Sequence, residues 1–307
     1  MTEVERVLAT QCELGEGPLW DAATQTLYFV DIRGRCYYRW SPATAALRRV
    51  DVGVTVAALT LRAEGGLLLA TSAGLQAWDE AAGRLTPLVN PEPDRPLNRF
   101  NDAAVDRCGR WWAGTYGDAP SVWGQRLGAL YCLQPDGHLR TIETEVGCAN
   151  GIGWSPDDKT MYFTDSGVRT IYAYDFDLPS GEVSNRRVFV QPPPEFGTPD
   201  GLTVDAEGGV WSACWGGGQV VCYDPAGRPA RILRIPAPNP TSVMFGGPQL
   251  DQLFITSAWD GLTPAQRAAA PLAGDVFVAM PGVRGRPEPR CGSVSYTHLT
   301  LPTSDLV

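Results

Sequence analysis

Helical periodicity is nearly absent along this chain. Short apolar runs recur instead, separated by Gly, Pro, Asp and Asn: LYFVD from Leu27, LLLATS from Leu67, WWAGTY from Trp111, MYFTDS from Met161, VWSACW from Val210 and LFITSA from Leu253. Runs of this length and composition, bounded by turn residues, predict strands. The one stretch that suggests helical turns is Thr263 to Ala270 (TPAQRAAA). With residues 28, 68, 111, 162, 211 and 253 as landmarks, the spacings are 40, 43, 51, 49 and 42. A loose repeat of that period, filled with strands, is what the blades of a β-propeller give.

A second register sharpens the repeat. About a dozen residues before each landmark, a leading residue, usually followed by a small one, opens an apolar strand. The leading residues are Glu16, Ala57, Asn101, Asn150, Asp200 and Thr241. Six such segments predict an all-β chain folded as a six-bladed β-propeller over residues 1–290. A β-sandwich, or a pair of them, has no reason to keep one register six times. Val4 to Leu8 (VERVL) alternates suitably for a strand that closes the ring in the blade after Thr241.

Composition fits this picture. The 307 residues are 44% hydrophobic and 19% charged, with 34 Gly and 26 Pro scattered as single turns. A net charge of −9 without a Lys/Arg cluster argues against nucleic acid. No run approaches the ~20 apolar residues of a membrane span, and MTEVERVLAT does not read as a signal peptide. The eight cysteines lack CxxC spacing and are expected as reduced thiols in a cytoplasmic protein, a monomer or weak oligomer.

In a propeller the innermost strands line the central channel, so the six leading residues converge on the axis. Four of them, Glu16, Asn101, Asn150 and Asp200, are carboxylates or carboxamides. Asn-Gly and Asp-Gly are ordinary turn dipeptides, which would explain any one of them. Two carboxylates facing each other in a closed channel would repel unless a cation stood between them. Oxygen ligands suit Ca²⁺, Mg²⁺ or Mn²⁺, with Zn²⁺ or Fe²⁺ as further options. Only two histidines occur, His138 and His298, and there is no G-x-S-x-G elbow, dinucleotide fingerprint or P-loop. Any catalysis therefore falls to a carboxylate and a metal, as in hydrolysis of an activated ester.

The segments GEGPLW, NRFNDAAVD, NGIGWSPDDKTMYFTDS and PDGLTVDAEGGVW, with the later CWGG and FGG, resemble the SMP-30/gluconolactonase/luciferin-regenerating family from about residue 12 to about residue 290. APNPTSVMFGGP and GLTPAQRAAAPLAGDVF look especially like bacterial sugar-acid lactonases, among them xylonolactonase, L-arabinolactonase and gluconolactonase. The resemblance implies one divalent metal on Glu16, Asn150 and Asp200, and a sugar lactone held by Arg99 and Asn101. It implies that Asp200, or Glu16 in its place, takes the proton of the attacking water. Where animal members carry a substrate-contacting Glu, this chain has GTYGDAP, so Asp118 or Tyr116 is expected there. The alternatives are a calcium-dependent phosphotriesterase or arylesterase on the same scaffold, and a ligand-binding propeller without activity. After Arg290 the chain reads CGSVSYTHLTLPTSDLV, similar to a translated sequencing adapter joined to a truncated frame. Residues 291–307 are expected to be an atypical, poorly ordered tail.

Overall fold

The computed structural model describes residues 3–292. Six antiparallel four-stranded sheets surround one axis, so the chain is a six-bladed β-propeller. The inner strands are Gly15–Asp21, Val56–Leu61, Asn98–Val105, Ala149–Trp154, Thr198–Val204 and Asn239–Gly246, and each lies beside the inner strands of its neighbours. All six apolar landmarks fall on the second strands. Val4–Leu8 pairs with Val276–Ala279 as the outer strand of blade six, which locks the two ends of the chain together. Between Thr263 and Ala270 there is one short helix, Pro264–Ala269, started by a capping box of Thr263 and Gln266. No helix among the described residues is long and apolar enough to cross a membrane, and all eight cysteines are unpaired.

The hydrophobic core is divided among the contacts between sheets. One cluster joins Leu68, Leu75, Phe100 and Trp111 of blades two and three; another joins Trp211, Val220, Phe245 and Leu253 of blades five and six. A repeated polar device ends two of the inner strands. Asp106 accepts bonds from Cys108 N and Arg110 N and from Trp112 Nε1 at 2.9 Å. Asp205 does the same for Glu207 N, Gly209 N and Trp211 Nε1. Each carboxylate closes the turn to the second strand and pins a tryptophan, so buried donors are satisfied where sheets pack.

Every inner strand breaks register with its second strand near its leading residue. The shifts fall between Glu16 and Leu19, Val56 and Ala58, Phe100 and Asp102, Ala149 and Ile152, Pro199 and Leu202, and Pro240 and Val243. Asn-Gly and Asp-Gly are thus bulges inside strands, not turns. A bulge re-aims side chains, and the glycine lets the next blade approach. A Cβ on Gly151 would lie 2.4 Å from Leu202 N, and one on Gly201 would lie 2.1 Å from Ser242 Oγ.

A strap over residues 283–292 crosses the opposite face and touches all six blades. Gly285 N bonds Leu250 O, and Ala206 N bonds Arg284 O. Arg286 reaches Ser155 O and Asp158, while Arg290 reaches Asp21 at 2.7 Å. Cys291 exchanges backbone bonds with Leu61 and Ala63, and Gly292 N bonds Gly109 O. The first two residues after Arg290 are therefore part of this strap, with Cys291 buried. Residues 293–307, and the expectation about their order, lie outside the described residues.

Gly201→Ala should destabilise the fold by about 1–3 kcal/mol, since the added methyl meets the side chain and then the Cα of Ser242 in blade six rather than open space. Urea unfolding checks this. An unchanged midpoint would mean that the inner strands do not need that approach.

Candidate metal centre

Glu16, Asn150 and Asp200 stand at the bulges of blades one, four and five, and all three side chains are buried. Neither carboxylate has a salt-bridge partner among the described residues. Each accepts a bond from the amide that follows it, Gly17 N at 3.0 Å in the case of Glu16. Burial, then the Asp102 charge, pushes the Glu16 carboxyl up to about 8. Burial, then Glu16, then Asp102, raises Asp200 well above the usual carboxylate range. Two mutually repelling buried carboxylates, with only the Arg99 charge acting on Glu16 from outside salt-bridge distance, are a strained arrangement that a cation relieves.

Asn150 supplies an amide oxygen. Its Nδ2 donates to Ser166 Oγ at 2.8 Å and approaches Cys148 Sγ at 3.8 Å, while its Oδ1 accepts from Asn101 Nδ2 at 2.9 Å. One lone pair on Oδ1 remains. Among the described residues, no three His, Cys, Asp or Glu side chains gather at ligating distance, so the donor set needs this amide. Two carboxylates and a carboxamide fit a hard divalent cation that completes its shell with water.

The remaining expected residues form a support for that centre. Arg99 is buried and spends four of its N–H groups within the protein: Nε on Asp118, Nη1 on Phe100 O and on Asn101 Oδ1, and Nη2 on Tyr116 OH. Its guanidinium also lies 4.7 Å from the centre of the Tyr116 ring. Asn101 in turn donates to Ala149 O at 2.7 Å and to Asn150. Asp118 takes both Nη groups of Arg33, Arg99 Nε and Tyr116 OH, which fills the acceptor sites of both oxygens. Burial opposes ionisation of Asp118, but the Arg99 charge and these bonds outweigh it and hold the carboxyl well below its ordinary value. With no acceptor site left over, Asp118 anchors Arg99 rather than offering a free contact to a ligand.

Two of the six leading residues do not face the lumen. Ala57 packs in the apolar cluster between blades one and two, and Thr241 Oγ1 bonds Gly15 O at 2.6 Å between blades six and one. Both keep the register; neither contributes chemistry. Asp102 is not among the residues that the repeated register singles out, yet it lies on the wall of the channel cavity. Burial pushes its carboxyl up to about 7. Strand alternation would turn Asp102 away from the axis, but the bulge at Asn101 cancels that. Arg33, Cys148 and Ser166 were also missed, because each sits in a loop or turn outside the repeated register.

Comparison with known proteins agrees with the fold and gives a family. The model of the SMP-30/Gluconolactonase/LRE-like region matches residues 14–259. Regucalcin of Oryctolagus cuniculus is 36% identical over 289 residues, covering 93% of this chain and 97% of the relative. A calcium-binding regucalcin from Agrobacterium tumefaciens superposes with a TM-score of 0.88 at 30% identity, covering 94% of this chain and 97% of the other. A luciferin-regenerating enzyme gives 0.87 at 32%, covering 95% and 100%. The chain belongs to the SMP-30/gluconolactonase/LRE-like family.

Without a cation, Glu16 releases its proton at about pH 8 instead of 4.5. Between those values the folded chain holds protons that the unfolded chain has lost, so stability falls as pH rises. The Tm of chelated protein should decline from about pH 5 to pH 8, and added calcium should flatten the decline. Identical profiles with and without calcium would show that no cation pairs with these carboxylates.

Proposed function

We propose that this family member hydrolyses a sugar lactone to the sugar acid at one divalent cation held by Glu16, Asn150 and Asp200. The observation that carries the reading is the pair of buried carboxylates, Glu16 and Asp200, with no salt-bridge partner among the described residues, and the Asn150 amide tied through Ser166 to Pro199, next to Asp200. The calcium-binding relative favours Ca²⁺ over Zn²⁺, Mn²⁺, Mg²⁺ or Fe²⁺. The bound cation would polarise the lactone carbonyl.

The chain's own residues do the rest. Asp200 takes a proton from the attacking water as the water oxygen bonds to the carbonyl carbon. The bond from that carbon to the ring oxygen breaks, and Asp200 gives the proton it took to the ring oxygen, which leaves as a hydroxyl. Arg99 has one N–H still free on Nη2, which suits a sugar hydroxyl at the rim of the channel. Asn101 spends both amide hydrogens on blade four, so its contact with substrate would be through its oxygen. Asp118 acts indirectly, by holding Arg99 in place.

Asp200→Asn preserves shape and one ligand oxygen but removes the charge and the base. Turnover of the best aldonolactone should fall by a factor on the order of 10² or more, while Asn150→Asp should cost less. Stripping the metal should abolish activity and leave the fold, with single ions added back across a lactone panel to identify the cofactor. If Asp200→Asn hydrolyses every lactone as fast as the parent, the base is Glu16 or the chemistry is different. Activity on organophosphates in place of lactones would favour a phosphotriesterase on the same scaffold.

A further inference from the structure

Ser166 follows the second strand of blade four, Thr160–Asp165, as the first residue of a short 3-10 turn. Its backbone is firmly held. Ser166 N donates to Cys148 O at 2.9 Å. The preceding Asp165 carboxylate accepts from Cys148 N and Gly167 N, both at 3.0 Å. The hydroxyl has a single hydrogen, and it goes to Pro199 O at 2.6 Å, on the inner strand of blade five next to Asp200. What Ser166 Oγ offers to Asn150, 2.8 Å away, is therefore acceptor capacity alone.

That polarity has a consequence for the amide. Were the Asn150 carboxamide turned over, its oxygen would face the Ser166 oxygen with no hydrogen between them, and its NH₂ would point at Asn101 Nδ2. Both contacts would be repulsive. We infer that Ser166 is a positioning residue that fixes which end of the Asn150 carboxamide meets the channel, so that Oδ1 and not Nδ2 is presented to the cation. The inference rests on reading Asn150 as a ligand. Two backbone carbonyls set the orientation: Pro199 O through Ser166, and Ala149 O through Asn101. A carbonyl cannot invert its polarity, so the order is not self-referential. The same hydroxyl ties the strand bearing Asn150 to the strand bearing Asp200.

Calorimetric titration of the chelated full-length chain with Ca²⁺ alone, then with Mn²⁺ and Zn²⁺, tests this without reference to turnover. Ser166→Ala should weaken binding by about 10-fold or more, the scale of lost support for a metal ligand. Ser166→Thr keeps the hydroxyl and should restore most of that affinity. The decisive background is Asn150→Asp. A carboxylate presents two equivalent oxygens and has no wrong way round, so adding Ser166→Ala there should cost almost nothing. Equal losses in the Asn150 and Asp backgrounds would show that Ser166 merely supports its turn and would overturn the inference. So would parent-like affinity in Ser166→Ala. A parent chain that binds none of the three ions would instead refute the metal centre itself, and this inference with it.

Discussion

Where six inner strands converge on one axis, neighbouring backbones must approach closely. The chain meets that constraint at a single level, where every inner strand bulges. Gly151 and Gly201 face the next blade at distances that leave no room for a methyl group. The same bulge that allows the approach turns the preceding residue toward the axis. Ring packing and ligand presentation are thus one feature, so the residues able to do chemistry sit where the backbone is least free to move.

Around that level the polar side chains form one connected support. From the rim inward it runs through Arg33, Asp118, Arg99, Asn101 and Asn150, and then through Ser166 to the Pro199 carbonyl. It joins blades one, three, four and five, and Arg33 also reaches Asp260 of blade six at 3.2 Å. Inside a protein such a network is costly when partly satisfied and rigid when complete. Here Asp118 is complete and Arg99 nearly so. The carboxylates of Glu16, Asp102 and Asp200 remain outside it, without a salt-bridge partner among the described residues.

The blade register could be read from the chain because it is a matter of spacing: an apolar landmark and a leading residue recur six times. The closing strand, Val4–Leu8, was readable from its alternation. Glu16, Asn150 and Asp200 came from the same register and from family resemblance alike. What escaped was whatever depends on local geometry. Asp102 reaches the channel because a bulge defeats alternation, and Thr241 leaves it because a hydroxyl found a carbonyl between blades. Saturation of Asp118 by two arginines and a tyrosine needs loops of separate blades in place, with Arg33 lying 85 residues away. The strap was hidden for another reason: it forms no strand of its own, and its backbone bonds and its Arg286 and Arg290 contacts reach turns far away in sequence.

That strap bears on traffic. Below the centre a narrow cavity of about 90 Å³ runs past Asp102 to Arg286, Glu288 and Pro289, which belong to the strap. Such a space has room for waters beneath the centre. The strap, bonded to every blade, floors that end of the channel. A molecule crossing at that end would first have to break contacts that reach all six blades.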